Sequence, residues 1–137
     1  MIKARTFLFL WLSIWASLLS VSANGEPDKI LFHINSPHML SVLHSYASNL
    51  TAETQGNIDI VVVFNGHAVK RLLKNDKEKD KTIKMINSNI KIEACHFALT
   101  KNKVDSGLLI EGVKHLDGDG NLAIINYQKK GYIYIKI

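Results

Sequence analysis

The sequence predicts a single α/β domain in which a mostly parallel sheet of about five strands lies between helical layers. Short apolar runs alternate along the chain with segments whose apolar residues recur at three-and-four spacing. That alternation is typical of strands and helices in parallel α/β proteins. The clearest run, Ile58–Phe64, is rich in β-branched residues, as expected of a strand buried on both faces of a sheet.

The first half of the domain contains two predicted strands and one helix. Residues 29–34 form a compact apolar run, and Ser36 followed by Pro37 is typical of a helix start. The second strand is Ile58–Phe64. The helix between them is predicted to end near Thr54, from the spacing of Met39, Leu40, Leu43, Tyr46, Ala47 and Leu50.

The second half of the chain continues the same alternation. Its predicted elements are, in order, a helix over residues 68–73, a helical segment through 83–86, a strand at 90–94, a helix opened by Cys95, a strand at 112–116, a helix at 121–129 and a strand at 132–137. Residues 104–109 fit neither the apolar spacing of a helix nor that of a strand. Strict alternation in the last strand predicts that one of its faces is more exposed to water.

The first 23 residues are predicted to be an export signal that is removed from the mature protein. Lys3 and Arg5 give a basic start, residues 7–19 form an apolar run, and residues 21–23 offer the small side chains of a cleavage site. The apolar run is shorter than the roughly 18 to 20 residues that span a bilayer, which favours a cleaved signal over a retained anchor. The mature domain is therefore expected to be residues 24–137, located in the periplasm or secreted.

The charge pattern argues against a nucleic-acid partner. Removing Lys3 and Arg5 with the signal lowers the formal net charge from +5 to +3. Much of the remaining positive charge lies in residues 70–84, where lysines are interleaved with acidic residues rather than with aromatic ones. Such mixed charge is typical of a solvated helix face, and it lacks the aromatic side chains on which bases stack.

Cys95 is the only cysteine in the chain and the strongest candidate for chemistry. It lies where a predicted strand runs into a helix, and the unpaired N–H groups at a helix start favour a thiolate. Such a thiolate acts as a nucleophile and can carry sulfur or be oxidised. A lone cysteine in an exported protein is buried, paired with another chain, or free and reactive. A small buried apolar residue is therefore the alternative interpretation.

Polar residues follow three predicted strands at their carboxyl ends, where ligands bind in open parallel sheets. They are His33 and Asn35, then Asn65, Gly66 and His67, and finally Cys95 and His96. We expect these residues to form a pocket around the thiol, with a histidine as candidate base. His67, Cys95 and His96 are suitable metal ligands but lack a paired ligand spacing, so neither a metal nor another cofactor is expected.

Several stretches along the mature chain, taken together and in order, form a pattern that is typical of one protein family. They are Ile30-Leu-Phe-His-Ile34, Ala47-Ser-Asn-Leu50, Val61-Val-Val-Phe-Asn-Gly66 followed by Val69 and Leu72-Leu73, residues 90–94 followed by Cys95 and Leu99, and Gln128 with Gly131-Tyr-Ile-Tyr-Ile-Lys136. With them the sequence resembles the DsrE/DsrF-like sulfur-relay family, in particular its small exported members, over nearly the whole mature chain. The exported members often have His-Gly-Pro after the second strand, where this chain has Asn65-Gly66-His67, and a polar pair after the cysteine, where it has His96-Phe97-Ala98.

The resemblance implies a three-layer α/β/α domain that forms homo-oligomers, often trimers or hexamers. It also implies that the cysteine after the third strand, here Cys95, carries persulfide sulfur between a donor and an acceptor protein. The function expected from it is a sulfurtransferase-like sulfur carrier, with Asn65, Gly66 and His67 shaping the pocket. A non-catalytic oligomeric module that binds a small ligand and has a structural cysteine is the alternative.

Overall fold

The structure is a computed structural model that describes residues 25–137; the predicted export signal lies outside the described residues. The strands are β1 (Asp28–Ile34), β2 (Ile58–Phe64), β3 (Lys91–Ala94), β4 (Val113–His115) and β5 (Ile133–Lys136). The α-helices are α1 (Leu40–Glu53), α2 (Lys79–Asn87), α3 (His96–Lys101) and α4 (Gly120–Lys129). Short 3₁₀ helices cover Pro37–Met39, Gly66–Leu72 and Ser106–Leu108.

The described strands form one sheet in the order β4-β3-β2-β1-β5, and every neighbouring pair is parallel. The predicted α/β class with a parallel sheet of about five strands is therefore confirmed. Because all strands run the same way, the segments that follow β1, β2, β3 and β4 leave the sheet at one common edge. That edge contains the junction between β3 and α3, where Cys95 lies.

The two faces of the sheet are covered differently. On the first face, Phe32, Val62 and Ile92 belong to a core that includes buried residues of α1, α2 and α3. On the second face, Leu31, Val61 and Val63 pack with Ile124 of α4. The alternation of these strand residues follows from the period of two in a β-strand. Within residues 25–137 the sheet therefore lies between α1, α2 and α3 on one face and α4 on the other, which is the predicted three-layer arrangement.

Tyrosine–carboxylate pairs attach the α4 region to the second face. Glu93 of β3 is 3% exposed, and its Oε1 accepts a hydrogen bond of 2.7 Å from the hydroxyl of Tyr127. The Tyr132 hydroxyl donates to Oδ2 of Asp59 over 2.6 Å. Burial, together with the bond to Asp59, raises the pKa of Tyr132 to about 12. Both tyrosine hydroxyls thus donate to carboxylates on the second face of the sheet.

The segment after β2 differs from its predicted conformation. Ala68, Val69 and Leu72 are buried as the sequence indicated, but the backbone of Gly66–Leu72 forms a 3₁₀ helix rather than an α-helix. Gly66 has a positive φ of 51°. Ile110 N donates to Leu72 O over 2.8 Å, which connects the end of this segment to the chain before β4. Residues 104–109, which the sequence pattern assigned to neither a helix nor a strand, likewise contain a 3₁₀ turn at Ser106–Leu108.

The start of the first helix also differs in detail. A 3₁₀ turn, Pro37–Met39, precedes α1, and the side chain of Ser36 makes no capping hydrogen bond there. Pro37 occupies the first turn, as its fixed φ favours. Across residues 25–137, no helix has the length and apolar character needed to cross a membrane.

Candidate functional site at the carboxyl edge of the sheet

Cys95 lies at the predicted junction between a strand and a helix. It follows β3 directly and is the N-cap residue of α3, with an extended backbone. Its N–H donates to Phe64 O of β2, and its carbonyl oxygen accepts from Leu99 N of α3, both over 3.0 Å. The backbone of Cys95 is thus fixed by the sheet on one side and the helix on the other. The residue is 1% exposed.

A different helix, α4, provides the hydrogen bond to the sulfur. The N–H of Gly120, the first residue of α4, donates to Cys95 Sγ over 3.2 Å. A Cβ at position 120 would lie 3.0 Å from Cys95 Cβ and 3.3 Å from Sγ, so a glycine permits this close approach. The N-terminus of a helix favours negative charge. The sulfur of Cys95 therefore lies at the positive end of the α4 dipole.

A pocket of about 320 Å³ opens beside the sulfur. Its lining consists mostly of amide, charged and backbone groups from the ends of β2, α3 and the start of α4, namely Asn65, Gly66, Cys95, Phe97, Ala98, Lys101, Asn102, Asp119 and Asn121. Asn102 connects two of these elements, because its Nδ2 donates to Gly66 O over 3.1 Å and to Ala98 O over 2.8 Å. The pocket is small, and its lining combines amide and charged groups with the apolar side chains of Phe97 and Ala98.

The structure brings part of the predicted site together. Asn65, Gly66 and Cys95 share the pocket wall. His67 is exposed and contacts the pocket residue Asn102, with Nδ1 2.7 Å from its Oδ1. Asn35 packs behind Gly66, and a Cβ added at Gly66 would lie 3.1 Å from the Asn35 carbonyl oxygen. The wall of the pocket is thus formed by the segment after β2 and not by the one after β1.

His33 and His96 lie away from the lining of this pocket. His33 is on the second face of the sheet, where its Nδ1 is 2.9 Å from the hydroxyl of Tyr134. Burial and the nearby charge of Lys136 lower the pKa of His33. Nδ1 of His96 lies 3.0 Å from Nε2 of His115. Of the predicted histidines, His67 is the one whose side chain makes a hydrogen bond to a residue of the pocket lining.

Sequence reasoning missed the residues that α3 and α4 bring to the pocket. Lys101 and Asn102 lie at the end of α3 and carry no motif. Asp119 lies just before the predicted helix at 121–129, and its side chain accepts from Asn121 N over 2.9 Å as the N-cap of α4. The close approach of its neighbour Gly120 becomes evident only from the position of Cys95 relative to α4.

The side chains considered for a metal site each make a hydrogen bond to a different partner. His67 contacts Asn102, His96 contacts His115, and Cys95 accepts from Gly120. Within residues 25–137, no group of three or more His, Cys, Asp or Glu side chains is placed to hold a metal ion.

Solved structures with the same fold come from several organisms. The protein of unknown function MTH1491 from Methanobacterium thermoautotrophicum is 24% identical, with a TM-score of 0.74 over 80% of this chain and 99% of that one. The conserved protein of unknown function BT1422 from Bacteroides thetaiotaomicron is 22% identical, with a TM-score of 0.63 over 80% and 95%. The ychN protein from E. coli is 16% identical, with a TM-score of 0.67 over 80% and 99%.

The sequence itself matches a family model but no curated protein. The family model described as DsrE/DsrF-like family matches residues 28–137, from the first residue of β1 to the last residue of the chain. This chain therefore belongs to the DsrE/DsrF-like family.

Proposed function

We propose that this protein is an exported sulfur carrier in which Cys95 accepts persulfide sulfur from a donor and passes it to an acceptor protein. The observation that carries this proposal is the hydrogen bond from Gly120 N–H to Cys95 Sγ at the wall of a pocket that is lined in part by amide and charged side chains. Membership of the DsrE/DsrF-like family, which generally relates to sulfur relay, supports it.

The chemistry requires only a thiolate and a donor persulfide. The Cys95 thiolate attacks the outer sulfur of a donor R–S–SH, a new S–S bond forms, and the donor S–S bond breaks to release R–S⁻. Cys95 then holds the transferred sulfur as a persulfide, and no external oxidant is consumed. An acceptor thiolate reverses the same steps when it removes that sulfur.

The pocket suits this exchange. The transferred sulfur would extend from Cys95 into a space lined by the amides of Asn65 and Asn102 and by Lys101. Amide N–H groups and an ammonium group stabilise a persulfide anion, as they do other anions. His67, which contacts Asn102, is proposed to help shape the pocket rather than to ligate the sulfur directly.

Export and assembly are further parts of the proposal. We propose that residues 1–23 are a cleaved signal and that the domain works in the periplasm or outside the cell. Amino-terminal sequencing of the exported protein would then begin at Asn24. A homo-oligomer, a trimer or a hexamer, is also proposed, and Leu122 and Ile125 on α4 support it because their large apolar side chains are exposed.

One observation favours a second candidate function, a non-catalytic oligomeric binding module in which Cys95 is a packing residue. Cys95 belongs to the main hydrophobic core cluster and is 1% exposed. Under that function the pocket would bind a small ligand, and Cys95→Ala would act as a mild core substitution.

Sulfur loading distinguishes the two functions. The purified protein is incubated with a low-molecular-weight persulfide, and mass spectrometry then measures whether the Cys95 peptide gains one sulfur atom. We expect the wild type to be loaded and to release the sulfur to an added thiol, while Cys95→Ser keeps its circular dichroism spectrum and is not loaded. A folded wild type that takes up no sulfur would support the binding module and reject the carrier.

A further inference from the structure

Another cavity, of about 400 Å³, opens between the sheet and the end of α4. Its charged and phenolic lining comes from β3, β4 and the end of α4, namely Lys91, Glu93, Lys114, Tyr127, Lys130 and Tyr132. Gly120, which contacts Cys95, is at the other end of α4, and the two cavities share no lining residue. This cavity is therefore separate from the proposed sulfur site.

The wall of the cavity contains a buried carboxylate with one unused oxygen. Glu93 is 3% exposed, and its Oε1 accepts from the Tyr127 hydroxyl and lies 3.3 Å from Nζ of Lys114. Oε2 is buried and has no hydrogen-bond partner among residues 25–137. Leaving a buried acceptor unpaired costs free energy. Oε2 therefore marks a position at which a donor from a bound molecule would be stabilising.

Positive charge surrounds this carboxylate. Nζ of Lys91 pairs with Asp59 over 2.8 Å, and Lys114 contacts Glu93. Lys130 is exposed, and its Nζ lies 5.6 Å from the centre of the Tyr127 ring. Within the part of the chain that the structure describes, Lys130 makes no salt bridge. The cavity thus combines an oxygen that needs a donor with an ammonium group that needs a counter-ion.

These two groups select the chemical class of the ligand. A charged N–H donor makes the strongest hydrogen bond to a carboxylate, but three lysines would repel a simple cation. An anion without a donor would leave Oε2 of Glu93 unpaired. A small zwitterion satisfies both requirements, and a volume of about 400 Å³ is in the range of small-molecule sites.

We propose that this cavity binds a free α-amino acid, whose ammonium group donates to Oε2 of Glu93 and whose carboxylate contacts Lys130. The Lys114 side chain, which is 67% exposed, moves aside, and the ammonium group of the ligand takes its place beside the carboxylate. The rings of Tyr127 and Tyr132, with centroids 4.9 Å apart, offer an apolar surface to the side chain of the ligand. Binding requires no chemistry at Cys95.

The experiment is an NMR titration of the isotope-labelled protein at pH 7 and low salt with each of the standard L-amino acids. We expect at least one of them to give saturable shifts of the backbone amides of residues 91–93, 112–114 and 127–132. The amino acid that binds is then compared with its two analogues, the carboxylic acid without the amino group and the amine without the carboxylate. Each analogue should bind more weakly, the one without the amino group by roughly tenfold or more.

Two variants test the assigned contacts. Glu93→Gln keeps the shape of the side chain but removes its charge, and it should weaken amino acid binding by roughly tenfold or more. Lys130→Gln should weaken it by a smaller factor, because the ammonium group is exposed to solvent. The matched control is Lys129→Gln, which removes the same charge one residue earlier, at an exposed position outside the lining. It should bind as the wild type does.

Three results would overturn the proposal. The first is the absence of saturable shifts with every amino acid up to tens of millimolar, which would leave a bound water as the partner of Glu93 Oε2. The second is an analogue without the amino group that binds as tightly as the amino acid. The third is binding that Glu93→Gln leaves unchanged. If Glu93→Gln fails to fold, the comparison of the amino acid with its analogues on the wild type still decides.

Discussion

The backbone N–H of Gly120 donates a hydrogen bond to the sulfur of Cys95 across 3.2 Å, although the two residues are far apart in sequence. Because a Cβ at position 120 would lie 3.3 Å from Sγ, the substitution Gly120→Ala should push α4 and the sulfur apart. A hydrogen bond to a charged group is worth about 1.5 to 3 kcal/mol. We therefore predict that Gly120→Ala slows alkylation of the folded protein at pH 7 by roughly tenfold or more.

The control for this prediction is Gly118→Ala. A Cβ at position 118 meets nothing within 4 Å, and the residue lies two positions before Gly120, in the loop that precedes α4. Its alkylation rate should equal that of the wild type. Equal rates in Gly120→Ala and Gly118→Ala, with both variants folded, would show that the N–H of Gly120 does not activate the thiol.

The buried side chain of His33 predicts a pH dependence of stability. Burial and the charge of Lys136 lower the pKa of His33 in the folded protein. The folded state then binds fewer protons than the unfolded state, so the free energy of unfolding falls as pH drops from about 6.5 through the lowered folded pKa. The slope from one group is at most about 1.4 kcal/mol per pH unit.

His33→Gln should reduce the dependence of the free energy of unfolding on pH, measured by urea denaturation between pH 7 and pH 5. Some dependence will remain, because burial and the charges of Lys84 and Lys81 also lower the pKa of His44. The exposed His38 provides the control, since His38→Gln should retain the wild-type slope. An unchanged slope in His33→Gln would mean that His33 is equally easy to protonate in the folded and unfolded states.

The hydrogen bond between Tyr127 and the buried carboxylate of Glu93 predicts a loss of stability on its removal. In Tyr127→Phe, Oε1 of Glu93 keeps only the 3.3 Å contact with Lys114. We expect the free energy of unfolding to fall by about 1.5 to 3 kcal/mol in urea denaturation at pH 7, because the carboxylate stays buried with fewer donors. Tyr46→Phe, at an exposed position of α1, should change it little. Equal urea-denaturation midpoints for Tyr127→Phe and Tyr46→Phe would contradict this role of the Tyr127 hydroxyl.

The outward apolar residues of α4 predict how the protein assembles. Light scattering after size-exclusion chromatography should give the mass of a trimer or hexamer for the wild type. Leu122→Gln/Ile125→Gln should yield a smaller assembly, because these side chains are 57% and 47% exposed in one chain. Leu108→Gln, at a position that is 55% exposed but distant from α4 in sequence, is the control. A monomeric wild type would reject the assembly.

The sheet was predictable because its strands carry local signals. The β-branched run of β2 and the compact run of β1 specify buried strands by composition alone, and parallel pairing follows from the helices between them. Gly66–Leu72 shows the limit of such signals. Its apolar residues recur at helical spacing and are buried, yet the positive φ of Gly66 and the contact of Leu72 with Ile110 favour a 3₁₀ segment that local periodicity does not reveal.

The candidate site was predictable to the extent that it lies on adjacent strand ends. Asn65, Gly66 and Cys95 share a wall because β2 and β3 are neighbours in the sheet. His33 does not, since the period of two places it on the face of Leu31 and beside Tyr134 of β5. The contact of Gly120 with Cys95 depends on how α4 packs across the second face, and no local pattern encodes that.

The most direct measurement is the alkylation of Cys95 in the folded protein as a function of pH, followed by mass spectrometry. The proposed carrier predicts that Cys95 is modified without denaturant, because the same accessible sulfur must act as the nucleophile in alkylation and in sulfur transfer. A thiol that reacts only after denaturant is added would contradict the proposed carrier and identify Cys95 as a structural residue of a binding module.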